Sequence, residues 1–447
     1  MIEITEESNA YIGDFARFEK QTAVRQAPWL SAIRKEAAAN FAASGFPTTR
    51  DEEWRHTNVA PIVEASFRPS VPGTNGISAG KLGSFIFSDI DCCNLVFVNG
   101  FYSADLSTPG ALPKGVRAGS LAAALQAEPK KVEPYLARHA SSRKNAFVAL
   151  NTAFMLDGGF LYLPAETILK KIIHLLFIST LDAAATVNYP RNLIVAGSGS
   201  QASIVESYIG PQGGVYFTNA VTEIVAADGA IVSHYKLQRE SDDAYHVATL
   251  HVHQEEGANV SSHSISMGGI LTRNNITGVL DGEGGELTLN GLYVTKGRQH
   301  VDNHTSIVHA KPHCNSRELY KGILDDQSSG VFKGRILVQP DAQKTNAKQT
   351  NKNLLLSQDA LVNTTPQLEI FADDVKCTHG ATIGRLNDTE LFYLRSRGIG
   401  EEAARALLTY AFASDVIATV QIKPLQCQLD LALLARMLKV EGVDVLL

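Results

Sequence analysis

Hydrophobic and polar positions follow three rhythms along the chain. At the start the rhythm is helical: Trp29 to Phe41 places Leu30, Ile33 and Ala37 on one face, and Gly45 is a natural stop. The segment continues into Phe46-Pro-Thr-Thr-Arg-Asp-Glu-Glu-Trp-Arg-His-Thr57. After Pro61 the pattern is mixed, with an apolar strand at Leu95–Val98 followed by the turn-prone pair Asn99-Gly100. From about Asn387 helical spacing returns. Asp388 caps a helix through Glu390-Leu-Phe-Tyr-Leu that stops at Gly398. A second helix is expected from Glu401 to about Ile422, apolar at Ala404, Leu407, Leu408 and Ala411. Pro424 ends it, and a third runs from roughly Leu425 to Lys439.

The middle, from about 155 to 385, has almost no helical periodicity. Short β-branched segments alternate with Gly, Asn and Asp turns. Ile224, Val252, Leu280, Val308 and Ile336 are each 28 residues apart. Gly229, Gly257 and Gly285 share that interval, and so do Ile204, Val232 and Val260. A fixed period of this size means stacked structural units. Strands recurring once per unit, with an apolar column inside and glycine at the corners, describe a right-handed parallel β-helix of about 28 residues per coil. A β-sandwich of irregular strands is the alternative, and it gives no reason for the constant interval. The chain divides into an N-terminal helical and mixed region (1–150), the β-helix core (151–385) and a C-terminal helical region (386–447). A solenoid leaves unpaired strand edges at its ends. The flanking helices are candidates to cap them, and a second chain completing the terminal coil is the other solution.

Composition narrows the functional classes. With 45% hydrophobic and 19% charged residues, the 447-residue chain buries a large core. A net charge of −6 argues against non-specific nucleic-acid binding. The lysines and arginines between Lys333 and Lys352 read as a solvated face. The N-terminus has no apolar signal region, and the runs Ile172–Ile178 and Ala403–Val420 are too short or interrupted to span a bilayer. The five cysteines form neither a CxxC pair nor an even disulfide framework, which fits a reducing cytoplasm.

Several constellations bear on chemistry. Gly197-Ser-Gly-Ser-Gln-Ala202 matches a loose dinucleotide pattern, but a strand follows where the pyrophosphate needs a helix. His253, Asp281 and His309 sit 28 apart, either as metal-sharing neighbours on consecutive coils or as a hydrogen-bonded ladder. Asp325-Asp326 and Asp373-Asp374 are the acidic pairs a polysaccharide-cleaving β-helix enzyme would use. Cys377-Thr-His379 carries the most chemistry. Residues i and i+2 of a strand face the same side, so thiol and imidazole project together as natural ligands for iron. Two ligands do not complete a four-ligand site, so a cluster here borrows the rest from another subunit. The alternatives are a Cys–His nucleophile and a buried cysteine beside a hydrogen-bonded histidine.

Around these residues the sequence resembles the SufB/SufD family of iron–sulfur cluster assembly proteins, and within it the SufD branch. The resemblance rests on Leu368-Glu-Ile-Phe-Ala-Asp-Asp-Val-Lys-Cys-Thr-His-Gly-Ala-Thr-Ile-Gly384 and on Glu390-Leu-Phe-Tyr-Leu-Arg-Ser-Arg-Gly-Ile399. Tyr320-Lys-Gly-Ile-Leu, the run Gln343 to Leu356 and Gly45 to Thr57 also fit. A SufB-like paralogue is the alternative within the family, though no N-terminal cysteine group such as some SufB proteins carry is present. The resemblance implies a non-enzymatic scaffold in a complex of SufB, SufD and a pair of SufC ATPases. The chain has no Walker A sequence and so is not the ATPase. SufB and SufD are expected to pair through the C-terminal ends of their β-helices. A transient iron or iron–sulfur cluster is then shared with SufB at Cys377 and His379, with no permanently bound cofactor. SufC is expected to dock on the C-terminal helices from about Asn387 to Gln421, at Leu391, Phe392, Tyr393, Arg395, Arg397, Gly398 and Ile399. For the isolated chain both a monomer and a homodimer stay open, the homodimer because the edge meant for SufB can pair with itself when SufB is absent.

Overall fold

The computed structural model describes residues 13–20, 27–73, 77, 82, 85–87, 90–181 and 185–438. Its core is a parallel β-solenoid whose strands alternate between two facing sheets. The first face runs through Arg191–Ala196, Phe217–Ala226, Tyr245–Gln254, Leu271–Leu280, His300–His309 and Ser329–Val338 to Leu361–Ile370. The second runs through Ile172–Ile178, Gln201–Ile209, Ile231–Arg239, Asn259–Ser266, Glu286–Thr295, Asn315–Leu324 and Asn346–Leu355 to Lys376–Gly384. Cys92–Val98 extends the second face and turns back through Asn99 and Gly100, both with positive φ, into Phe101–Tyr102.

The coils stack, but not at a constant interval. The inward column on the first face is Ile224, Val252, Gly278, Ile307 and Ile336, with Leu280 in register with Gln254 and Val308 with Val279. A side chain at Gly278 would meet Leu287 Cδ2 at 2.2 Å, so Leu287 from the opposite face fills the space that a column of β-branched residues would otherwise occupy. Val260 stacks on Val232 as expected, whereas Ile204 lies opposite His234, two residues along. One corner explains how the coils tolerate the slippage. Gly199, Gly229, Gly257, Gly284, His313 and Lys344 all have φ between 58° and 71°. The N–H of each donates to a carbonyl in the corner of the next coil, from Gly199→Asp228 through Gly257→Glu283 to Lys344→Asp374. Register is therefore kept by a left-handed residue at each corner, and glycine supplies it without steric cost in four of the six. The expected Gly285 sits one residue past this position.

Helices cover the faces of the solenoid and not its C-terminal end. Pro28–Ser44, ended at Gly45, and Ala146–Phe154 bring Ala37, Phe41, Phe147 and Phe154 onto Val187, Phe217 and Val247 of the first side. Glu401–Ile417 and Lys423–Met437 lay Val416, Ile417, Leu425, Leu429 and Leu433 on Tyr235, Leu237, Ile265, Leu292 and Ile323 of the second. Pro424 opens the last helix, where its missing N–H is not needed, instead of closing the one before. The capping role expected of the flanking helices is therefore not what the described residues do.

Several polar groups are sealed in by this packing. Arg191 and Glu223 form a fully buried pair at 2.5 Å, and Glu223 also accepts the backbone N–H groups of Ala137, His139 and Ala140. Glu223→Leu is expected to lower stability by about 3–5 kcal/mol, because it leaves the Arg191 guanidinium buried without its counter-charge; urea unfolding reads it, and a change under 1 kcal/mol would contradict the assignment. Burial also holds imidazoles neutral: it lowers His174 to about 3 and His251, His263 and His309 to about 4. The unfolded chain protonates these rings near pH 6.5, so it binds more protons than the folded chain below that pH. Thermal stability should fall as pH drops from about 6.5 towards 4, and a melting temperature flat across that window would refute it.

Candidate functional site

The C-terminal coil ends in two edge strands of unequal character. Leu361–Ile370 closes the first face, with Leu361 N–H donating to Ser328 and Phe371 N–H to Val338. Backbone groups alternate sides along a strand, so Pro366 falls at an outward position, where it removes a donor from the free edge. Lys376–Gly384 closes the second face and, among the described residues, pairs on one side only, with Asn346–Leu355. It contains no proline, and its outward row of N–H and C=O groups is open for pairing. Around it Leu361, Phe371 and Ile383 are exposed apolar side chains, Phe371 to 63%.

Cys377 and His379 both lie on this open strand. Cys377 stands in register with Ala347 and packs against the inner core, half-buried. His379 stands in register with Gln349, at the same parity, and is exposed. Strand alternation thus brings thiol and imidazole to the mouth of the lumen, as the sequence spacing implies. Burial raises the Cys377 thiol above its ordinary range, partly offset by the backbone of Ala347. The thiol is therefore protonated at neutral pH until a cation draws the proton off. Among the described residues no group of three or more His, Cys, Asp or Glu side chains is placed to hold a metal ion.

The other candidates separate. His253 is in register with Val279 and lies 3.9 Å from Asp281, whereas His309 turns inward and bonds Ser316 Oγ at 2.8 Å. The expected column of three does not form, because the coils between them are not 28 residues long. Asp325 and Asp326 sit at the corner leading from the second face to the first, and Asp373 and Asp374 at the corner leading back. The two acidic pairs are on opposite edges of the solenoid and do not converge as a glycosidase pair must. Gly197–Ala202 leads into the strand Gln201–Ile209, with no helix to receive a phosphate. Lys333, Arg335 and Lys344 pair with Glu53, Glu369 and Asp374.

On the C-terminal helices, Asp388–Ser396 buries Leu391 and exposes Phe392 (71%) and Tyr393 (56%). Arg397 lies over the Tyr393 ring at 5.2 Å, Arg395 pairs with Glu401, and Gly398 turns the chain with φ 87° ahead of Ile399. Of the residues expected to dock SufC, Leu391 is buried and Ile399 half-buried, while Phe392, Tyr393, Arg395, Arg397 and Gly398 are exposed.

Two features escape sequence reasoning. One is the polar interior behind His379, formed by Glu318 and Gln349. The other is a strap from Asp51 to Thr57 across the outside of the first face. Trp54 stacks on the Arg273 guanidinium at 3.8 Å, and Arg273 pairs with Asp302 at 2.6 Å. His304 bridges Asp302 and Glu53, and Lys333 takes the other oxygen of Glu53. The His304 hydrogen bond, then Lys333, brings the Glu53 carboxyl down to about 2, and Arg273 holds Asp302 well below the usual carboxylate range.

The chain resembles known proteins over most of its length. Residues 177–412 match the family described as "SUF system FeS cluster assembly, SufBD core domain", and residues 5–175 match the "SufBD protein N-terminal region". An iron–sulfur cluster assembly SufBD family protein of Synechocystis is 35% identical over 405 residues, covering 89% of each chain. The iron–sulfur cluster assembly protein SufD of Escherichia coli is 33% identical over 387 residues, covering 86% of this chain and 88% of its own. A chloroplastic protein of Arabidopsis thaliana, ABCI7, is 31% identical over 398 residues, covering 87% and 82%.

Trp54→Ala is expected to cost about 3 kcal/mol through lost packing and cation–π contact. It should speed tryptic cleavage at Arg50 or Arg55 while the far-ultraviolet spectrum of the solenoid stays unchanged. Cleavage no faster than in the wild type would show that the strap does not depend on this contact.

Proposed function

The chain belongs to the SufBD family of iron–sulfur cluster assembly proteins, is SufD-like, and from that premise we propose that it is a non-enzymatic scaffold subunit that builds half of a cluster-assembly site at its open strand. The observation that carries the reading is the position of Cys377 and His379, side by side on the one terminal strand whose outward edge is free of proline. Addition of a strand from SufB to that edge would enclose both side chains and bring the further ligands that two side chains alone do not supply. Iron and sulfur are cargo at this site, not a resident cofactor. Loading requires the protons of the Cys377 thiol and of any ligating imidazole nitrogen to leave, so capture of iron is coupled to proton release.

SufC docking belongs to the exposed aromatic surface of Phe392 and Tyr393, with Arg395, Arg397 and Ile399 around it. Glu401–Ile417, the next helix, packs on the second face of the solenoid, so force applied at the docking surface has a rigid path towards the open strand. ATP-driven dimerisation of SufC would strain the SufB–SufD junction and open the site to its cargo. The place of action is the cytoplasm. No helix among the described residues is long and apolar enough to cross a membrane.

Two outcomes test the reading. Co-expressed with SufB and SufC from the same genome and reconstituted anaerobically, the complex carrying His379→Ala should hold several-fold less iron at unchanged subunit ratio. Equal iron would remove His379 from the site. Lys376 N–H donates inward to Thr345, so by alternation Ala381 N–H points outwards. Ala381→Pro should abolish co-purification of SufB while leaving the isolated chain folded, and a complex that still forms would place the junction elsewhere.

A further inference from the structure

The inward column that ends at His379 is polar on its last three coils. In register along it stand Ser262, Leu289, Glu318, Gln349 and His379. Glu318 is 3% exposed, and burial pushes its carboxyl up to about 7. It accepts a hydrogen bond from Gln349 Nε2 at Oε2, 2.7 Å away. While Glu318 is ionised, that bond sets which way the Gln349 amide points, since only its amino group can donate to a carboxylate. The facing sheet holds the amide there: a Cβ built on Gly334 would meet Gln349 Nε2 at 2.3 Å, so this position is glycine where the amide needs the room. The carbonyl end, Gln349 Oε1, is buried and has no hydrogen-bond partner among the described residues. A buried amide oxygen left in that state carries its full desolvation cost. The next strand of the column, ~4.8 Å along, carries His379 in register with Gln349, its side chain exposed at the open end.

We propose that Gln349, oriented by Glu318, is a positioning residue for His379: its carbonyl oxygen accepts the N–H of one ring nitrogen and leaves the other nitrogen unprotonated and turned towards the open edge. A neutral imidazole binds a cation only through its unprotonated nitrogen, and the group that accepts the opposite N–H selects which nitrogen that is. In a free histidine both tautomers are populated. Here the interior of the solenoid supplies an acceptor on one side only, so the lone pair is presented to whatever completes the coil. The inference rests on the reading of His379 as an iron-binding side chain, and it adds the interior groups that make it one.

The test separates the two. The full-length chain, labelled with 15N-histidine, gives tautomer-specific two-bond proton–nitrogen correlations, and His379→Gln assigns the signal. One tautomer is expected in the wild type. Gln349→Met, equal in length but without an acceptor, is expected to give the mixed pattern of a free imidazole. Should that variant fail to fold, Glu318→Gln, which frees the Gln349 amide to turn over, is expected to give the same mixing. A tautomer pattern identical to the wild type in a folded variant overturns the proposal. In the complex with SufB and SufC, loaded anaerobically with ferrous iron, Gln349→Met is expected to weaken iron binding by roughly 10–100-fold at unchanged subunit ratio. If the tautomer shifts while His379→Ala leaves iron binding intact, the positioning stands and the ligand reading falls. If His379→Ala lowers iron and the tautomer ignores Gln349, the reverse holds.

Discussion

Everything in this protein follows from one constraint: each coil of a parallel solenoid satisfies its backbone only through the coils on either side. Inside the stack the requirement is met by the next turn of the same chain, through the strand ladders and through the corner bonds that run from Gly199 to Asp374. At the end it is not met. Helices that might have covered the terminal strand lie instead along the two outer faces, burying apolar side chains such as Leu237, Ile265 and Phe217. Among the described residues the solenoid is thus covered laterally and left open at its C-terminal end. An open axial edge is a liability that proteins normally blunt. Here Pro366 blunts one of the two terminal strands, and the strand bearing Cys377 and His379 is spared.

The repeat was legible in the sequence because inward positions must be apolar on every coil, and enough of them are. Its phase was not. Coils of unequal length shift their registers at the corners, so equal spacing in sequence linked Ile224 and Val252 correctly but carried Leu280 and Val308 into the wrong columns. The corner residue hides for a related reason. Left-handed geometry usually selects glycine, yet His313 and Lys344 adopt it too, held by bonds to Gln343 and Asp374. Pro424 misleads because proline is tolerated at the first turn of a helix as well as after the last, and sequence alone does not choose between the two.

The site divides the same way. The placement of Cys377 and His379 on one face of one strand was legible from spacing, because a two-residue step on a strand is local geometry. Glu318 and Gln349 were not, because inward and outward polar residues look alike in a strand pattern, and only the register reveals that one column passes through both to His379. The strap at Trp54 was visible as a segment but not as a contact. Its partners Arg273, Asp302 and Lys333 come from coils 220 or more residues away in the chain.

The polar end of the lumen is expensive, and the expense has a direction. A solenoid selected for stability alone would carry its apolar columns to the last coil. This one instead places Glu318, Gln349, Asn351 and Asn353 behind its open strand, each nearly inaccessible to solvent. Asn351 and Asn353 are satisfied, by the Tyr320 carbonyl, by one another and by the Tyr293 hydroxyl. Glu318 and Gln349 each keep one oxygen without a partner among the described residues. Of these two, Gln349 is the one in register with His379, next to the open side. A terminal coil built this way gains more from completion than an apolar one would. If a partner strand completes the coil, as proposed, the groups left short in the isolated chain are the ones it satisfies.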